Sequence, residues 1–424
     1  MTAPTLHNWA GNITFRPSRL SVPRTVAELQ RAVADARHVR ALGTGHSFNE
    51  IAMPRGETVS LADLPPEIEI DALSGTRPTV TVSAGVRFGQ LAPALHAAGY
   101  ALPNLGSLPH IAVAGAVATG THGSGDTNPV LAAGVERITY VAPSGDLVEV
   151  RRGDPDFDGS VVGLGARGIA ARITLSLVPT FDVRQWVYED VPIDGYAAQL
   201  DDITASAYST SAFTDWRSGR VGSLWLKRRV RPGELQDSAP DEQYGGRLAS
   251  VPHHPIPGEN TDHATVQLGV PGPWHERLPH FQLAFTPSAG DELQSEYFVP
   301  RAQAAAAIET MRGLADVIAP QLLISEIRTI AADELWISPF NGRDTVALHF
   351  TWRQDLEAVR PIVAAIESAL LPFDFRTHWG KVFAAEPIEF SRMWPRLGDF
   401  AALVRRADPD GKFGNDFIDR YVHQ

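Results

Sequence analysis

The chain has 424 residues, more than a single hydrophobic core normally organises, so length alone predicts two domains. Hydrophobic residues make up 44% of it, which marks a globular protein, and a formal net charge of −12 argues against nucleic acid or an anionic membrane as the main partner. There is no cysteine, which removes disulfides, thiolate metal sites, iron–sulfur clusters and cysteine nucleophiles from consideration.

The opening stretch MTAPTLHNWAGNITF has neither the charged region nor the apolar region of a secretory signal. No apolar run approaches the roughly 18 residues of a spanning helix, so a soluble, cytoplasmic and monomeric protein is expected. The segment 25–36 then reads as a helix, with Thr25 and Glu28 at capping-box spacing and Leu29, Val33 and Ala36 on one face. A short apolar strand over 39–42 follows. It runs into Ala41-Leu42-Gly43-Thr44-Gly45-His46-Ser47-Phe48, where two glycines let the backbone approach a ligand closely and set His46 at its edge. A lone histidine in such a turn is more often an ordinary loop residue, so the motif needs support elsewhere.

That support starts with the second glycine-rich segment, 105–125 (LGSLPHIAVAGAVATGTHGSG). It follows an alternating strand over 79–86 and a helix over 88–98. Nearly free of charge and rich in glycine and hydroxyl residues, it suits an extended backbone lending donors to a phosphate-bearing ligand, with Thr119, Thr121 and Ser124 clustered. The bland alternative is a small-residue helix in the core. A hairpin follows over 136–150, with Pro143-Ser144-Gly145-Asp146 as its turn. Gly163-Leu164-Gly165-Ala166-Arg167-Gly168 matches the dinucleotide fingerprint by letter, but its continuation alternates as a strand ending at Pro179, not as the helix the motif requires.

Beyond about residue 180 the character shifts to longer loops and strands. The basic cluster Lys227, Arg228, Arg229 and Arg231 reads as a solvated strand edge. The proline-rich stretch 252–273 reads as an irregular excursion. Helices are expected over 302–314 and 357–371, and strands over 322–330 and 345–352. On the first strand Glu326 and Arg328 share a face, and on the second His349 and Thr351 oppose Val346, Leu348, Phe350 and Trp352. If the strands pair, one face collects Glu326, Arg328, His349 and Thr351. The fold class is therefore α+β, divided at 1–180, 181–380 and 381–424, with the last segment too short to be a domain and packing back at the interface of the other two. No internal repeat is visible.

The two glycine-rich motifs together carry a resemblance. ALGTGHSF, followed roughly sixty residues later by GSLPHIAVAGAVATGTHGSG, resembles the PCMH-type FAD-binding domain of the vanillyl-alcohol-oxidase superfamily, and within it the alditol oxidase branch, which is close to xylitol and sorbitol oxidases and related to the aldonolactone oxidases. The likeness runs from Asn8-Trp9-Ala10-Gly11 to Lys412-Phe413-Gly414-Asn415-Asp416-Phe417, essentially the whole chain. It implies FAD bound covalently through His46. Ala41, Leu42, Gly43, Thr44, Gly45 and Ser47 would line the same loop. Gly106, Ser107, Gly115, Thr119, Gly120, Thr121 and His122 would contact the flavin from the second segment, with Ile169 toward the adenine and His378 at the flavin.

It further implies that 181–380 is a cap domain whose sheet is covered by helices, and that Ser107, Glu326, Arg328, Thr351 and Lys381 hold a polyol. Hydride would pass from the C1 alcohol of an alditol to flavin N5, with oxygen reoxidising the flavin to give hydrogen peroxide. The hydroxyl proton would go into the network of Arg328, His349 and Lys381, with the acceptor left open between His349 and Lys381. The small Gly106 before Ser107 implies an open path for oxygen. The competing readings are an aldonolactone oxidase, a nicotinamide dehydrogenase built on GLGARG, a hydrolase with His110 and His122 on a metal, and a flavin binder without turnover.

Overall fold

The computed structural model describes residues 5–72, 77–230, 238–283 and 290–423. Helix Val26–Asp35 starts where Thr25 Oγ1 accepts from the Glu28 amide at 3.1 Å. The Glu28 carboxylate reaches past the cap and accepts from the Arg24 amide at 2.7 Å, so the capping pair closes one residue earlier than its usual form. Leu29 and Val33, one turn apart, are fully buried with Val39 and Val59. This packing seats strand Val39–Leu42, which pairs in parallel with Glu57–Ser60 and through it with Leu20–Ser21.

An antiparallel sheet follows, ordered Leu147–Arg151, Val135–Val141, Ile169–Ser176, Thr79–Ser83, Ile68–Asp71. The letters GLGARG thus lead into a strand and not a helix. The third large unit is a ten-stranded antiparallel sheet, whose centre is ordered Asp182–Pro192, Arg220–Arg229, Ser209–Thr214, Leu322–Ile330, Thr345–Arg353, Glu292–Pro300. The α+β class is therefore found, with parallel and antiparallel sheets before residue 180 and one antiparallel sheet after it.

The expected pairing of the two late strands is present, with Glu326 opposite His349. On the other face Val346, Leu348, Phe350 and Trp352 share a buried cluster with Ile308 and Met311 of helix Ala304–Gly313 and with Val359, Val363 and Ile366 of helix Leu356–Leu370. Each large apolar side chain so buried contributes about 1.5–3 kcal/mol. A slip of one residue would exchange that face for His349 and Thr351, so the register is strongly specified.

Three expectations change. The segment 105–125 is not extended throughout: Val113–Thr119 is a helix, because its alanines and valines can bury one side at Val113, Ala116 and Val117, and Gly120 ends it in the left-handed region at φ 72°. Among the described residues the basic cluster is a solvated edge only at Arg229, which is exposed at the end of its strand, and not at Lys227 or the half-buried Arg228. Lys227 is buried, Arg228 lies over the Trp186 ring and Arg229 over the Phe181 ring, while Arg231 falls outside the described residues. The stretch 252–273 does more than loop out, since Pro255 and Ile256 reach the cavity described below. Among the described residues no helix is long and apolar enough to cross a membrane.

The C-terminal segment packs onto the first sheet: Val39 donates to the Lys412 carbonyl at 2.9 Å and Phe413 is fully buried beside Val39. Arg40 binds this junction together. Its buried guanidinium donates to the carbonyls of Gly165 (2.9 Å), Phe413 (2.7 Å), Ile51 (2.5 Å) and Leu164 (2.8 Å). Replacing Arg40 with Met strands four buried acceptors, and since one such loss costs about 1–3 kcal/mol, the variant should be less stable by about 3 kcal/mol or more. Urea unfolding followed by tryptophan fluorescence measures this; a midpoint equal to that of the parent would refute the role given to Arg40.

Candidate active site

One cavity of about 750 Å³ runs from strand Val39–Leu42 to the polar face of the ten-stranded sheet. That volume is within the range of ligand and cofactor pockets. Of the residues expected to meet a cofactor or substrate, all but Gly120 and Ser124 line it. Ser124 is buried with its hydroxyl donating to the Thr210 carbonyl, so it lends no donor to a ligand. A Cβ on Gly120 would meet Pro339 at 3.1 Å and not the cavity, so this glycine serves the helix end.

At the first end, Gly45 has φ 71°, which favours glycine, and an added Cβ would touch the Asn8 and Trp9 backbone at 3.4–3.5 Å. Its carbonyl accepts from the Trp9 amide at 2.8 Å, and Asn8 Nδ2 donates to the Ser47 carbonyl at 3.0 Å. The N-terminal turn therefore clamps the loop that carries His46. The His46 ring stands 4.9 Å from Trp9 and 5.4 Å from His110, centroid to centroid. Burial, then the neighbouring His110 and Arg87, lower its pKa to about 3, so the ring is neutral in ordinary buffers with a nucleophilic nitrogen available. Among the described residues both buried ring nitrogens of His110 lack a hydrogen-bond partner, and no group of three or more His, Asp or Glu side chains could hold a metal ion.

A bulky flat cofactor fits the lining. Among the described residues Gly115 has no atom within 4 Å of an added Cβ, and Gly43 has only the Ala112 methyl at 3.8 Å, so at both points backbone faces the cavity. Gly106 has an ordinary negative φ, and its added Cβ would touch Thr121 Cγ2 at 3.4 Å. A tight turn is therefore not what calls for glycine there.

At the other end, three adjacent strands set Glu326, His349 and Glu296 in one row across the sheet. Arg328 donates to Glu296 Oε1 at 2.6 Å and lies 3.5 Å from Ser107 Oγ, while Lys381 Nζ donates to Glu296 Oε2 at 2.8 Å. His122 Nε2 is 3.3 Å from Glu296 Oε1, and His280 Nε2 is 2.8 Å from Glu326 Oε1. Burial alone would raise both carboxyls. Lys381, His122 and Arg328 hold Glu296 well below the ordinary range, and Arg328 with His280 does the same for Glu326. Burial lowers Lys381, with Glu296 opposing, and burial followed by Lys381 puts His349 and His378 well below the usual histidine value. The Gly380 amide donates to His378 Nδ1 at 3.0 Å, which fixes that neutral ring.

Four residues of this site were not expected. Glu296 and Gln294 lie on strand Glu292–Pro300, where Glu292, Gln294 and Glu296 alternate with Leu293, Ser295 and Tyr297, a period-two signal obscured by polar residues on both faces. Lys227 was hidden in an apparent charge run and His280 in the proline-rich excursion.

A family model described as an FAD binding domain matches residues 17–151, and one described as D-arabinono-1,4-lactone oxidase matches 291–421. An alditol oxidase of Streptomyces sp. is 48% identical over 414 residues, 97% of this chain and 97% of that protein. An L-gulono-1,4-lactone dehydrogenase of Mycobacterium tuberculosis is 26% identical over 440 residues, 99% of each chain. Cholesterol oxidase from B. sterolicum superposes with a TM-score of 0.80 at 16% identity, over 99% of this chain and 96% of that one, a likeness of fold alone.

Glu296 is the common partner of two buried cations. Glu296→Gln should therefore cost about 3–5 kcal/mol of stability at neutral pH. Because the folded pKa of Glu296 is depressed, its contribution is full above its unfolded value of about 4.3 and disappears as pH falls toward the folded one. Thermal melts of parent and variant from pH 7 down to pH 3 should thus converge; curves that coincide at pH 7 would rule this out.

Proposed function

The chain belongs to the alditol oxidase family of FAD-binding oxidoreductases, and from that premise we infer that it oxidises the C1 alcohol of small alditols such as xylitol and sorbitol to the aldose, releasing hydrogen peroxide. The observation that carries this reading is the single cavity with His46 and the glycine-rich backbone at one end and Glu326, Arg328, His349, Thr351 and Lys381 at the other. FAD, when bound, supplies the two-electron oxidation and the return of electrons to oxygen. Residues 41–47 and 106–122 would hold it, with His46 as its covalent attachment, a role its neutral and unencumbered ring supports. Gly106 lacks the Cβ that would sit against Thr121, His122 and Ile111, which favours access of oxygen.

A polyol offers hydroxyls and no charge. Glu326 accepts from one hydroxyl, and Arg328, Lys381 and Thr351 donate or accept around it, so charge-assisted hydrogen bonds fix the carbon that reacts. The proton of the C1 hydroxyl goes to His349. Its Nε2 faces Gln294 Oε1 at 3.1 Å, and the Gln294 amide nitrogen is committed to Glu292 Oε1 at 2.6 Å. Nε2 therefore carries the hydrogen, and Nδ1 is the basic position. Lys381, paired with Glu296, is the donor that steadies the developing alkoxide beside Arg328. The lactone reading draws on the model matched at 291–421, but the 48% relative against the 26% one favours open-chain alditols.

Acid-precipitated protein should be yellow, with flavin mass on the peptide containing His46, and xylitol should be turned over with peroxide release while L-gulonolactone is not. Flavin left entirely in the supernatant would remove the tether, and turnover of the lactone alone would reverse the substrate. His349→Gln should slow reduction of the bound flavin by xylitol about 100-fold or more. Since the pKa of His349 is depressed, the base form persists on the acid side of neutrality, and the parental reduction rate should stay level from pH 8 to pH 6. An inflection near 6.5 that vanishes in His349→Gln would contradict the buried neutral ring.

A further inference from the structure

Lys227 and His280 take no part in the steps above, yet both stand against them. Phe213 is opposite Ser223 on one side and Glu326 on the other, so Ser223, Trp225 and Lys227 share the sheet face that carries Glu326. The chain at 278–280 crosses that face. His280 sets Nε2 2.8 Å from Glu326 Oε1 and Nδ1 3.4 Å from Lys227 Nζ, and Lys227 also donates to the carbonyls of Leu278 at 2.6 Å and Pro279 at 3.1 Å. An ammonium has three hydrogens, and here it meets three acceptors.

The hydrogens follow from these distances. Glu326 is ionised and can only accept, so His280 Nε2 donates to it. In a neutral imidazole Nδ1 is then a lone pair, and Lys227 is the donor that reaches it. With the opposite tautomer Nε2 would turn a lone pair on the carboxylate and release it.

We propose that Lys227 is a positioning residue of the active site, whose ammonium holds His280 in the tautomer that aims Glu326 at a substrate hydroxyl. This rests on the reading of Glu326 as the anchor of an alditol. A proton wire would need an outlet, and among the described residues Lys227 has none: it is 1% exposed, and beyond its three acceptors it meets the Trp225 ring at 5.6 Å. Burial, with no carboxylate in contact among the described residues and Glu326 opposing only from across His280, disfavours the charge and draws the pKa down to about 7, so a lysine here opposes stability and points to a demand made by the site.

The test is steady-state and stopped-flow kinetics with xylitol on the flavin-loaded Lys227→Met, His280→Gln and His280→Asn enzymes, with Glu326→Gln as reference. Glutamine reaches the place of imidazole Nε2 and keeps a donor for Glu326, whereas asparagine reaches only that of Nδ1. Lys227→Met and His280→Asn should raise KM about tenfold or more while the reduction rate at saturating xylitol stays within about threefold of the parent, and His280→Gln should keep KM near the parent's. Adding Lys227→Met to His280→Gln should then change KM no further, because Lys227 acts through the imidazole. An unmoved KM in Lys227→Met, or an equal rise on both backgrounds, overturns the proposal. Should Lys227→Met not fold, the two His280 variants decide, and equal effects from both overturn it. An unchanged KM in Glu326→Gln would overturn the anchor itself and the proposal with it, whereas a raised KM there beside an unmoved Lys227→Met overturns the proposal alone.

Discussion

A carboxylate sealed from water on the polar face of the ten-stranded sheet is the constraint on which the rest depends. Glu296 is 1% exposed, and an isolated charge so placed would cost several kcal/mol. It is tolerable only because Arg328, Lys381 and His122 all converge on its two oxygens. These partners come from a neighbouring region of the sheet, from the loop after Arg376–Thr377 and from the end of the second glycine-rich segment. Satisfying one buried charge therefore ties together three stretches far apart in sequence, and the geometry of the polar face is a consequence of that requirement.

The same loop couples the two ends of the cavity. The Phe48 amide donates to the Gly380 carbonyl at 2.7 Å, and Asn49 Nδ2 donates to the carbonyls of Trp379 and Lys381, each at 2.8 Å. The turn that carries His46 is thus bonded directly to the turn that carries Lys381. Arg40 does the corresponding work behind it, holding Leu164, Gly165 and Phe413 to the first strand. Close to the residues that hold cofactor and substrate, backbone carbonyls are gathered by side chains instead of by sheet ladders, which leaves the glycine backbone free to face the cavity.

What could be read from the chain alone follows from contrast. Strands Leu322–Ile330 and Thr345–Arg353 were legible because apolar and polar residues alternate sharply, and the pairing of Glu326 with His349 follows from that pattern. Helix Val113–Thr119 was not, because alanine, glycine, valine and threonine give no contrast between its faces. Glu296 escaped notice because period two is blurred where serine and tyrosine occupy the buried side. Lys227 looked like one of four surface charges, and only the topology shows that its strand lies beside Ser209–Thr214 with its side chain under the 278–280 crossing.

Charge balance in the site bears on what it selects. Glu296 and Glu326 are two negative groups, Arg328 and Lys381 two positive ones, and the histidines His349 and His378 are held neutral by burial. A neutral polyol entering this set can exchange hydrogen bonds with water for hydrogen bonds with the protein and leaves no charge unmatched. A carboxylate-bearing relative of the same length would bring a further negative charge beside Glu296 and Glu326 and, to pair it, would have to take Arg328 or Lys381 from Glu296, stranding that carboxylate. The cost of breaking the Glu296 network falls on any ligand that competes for its cations.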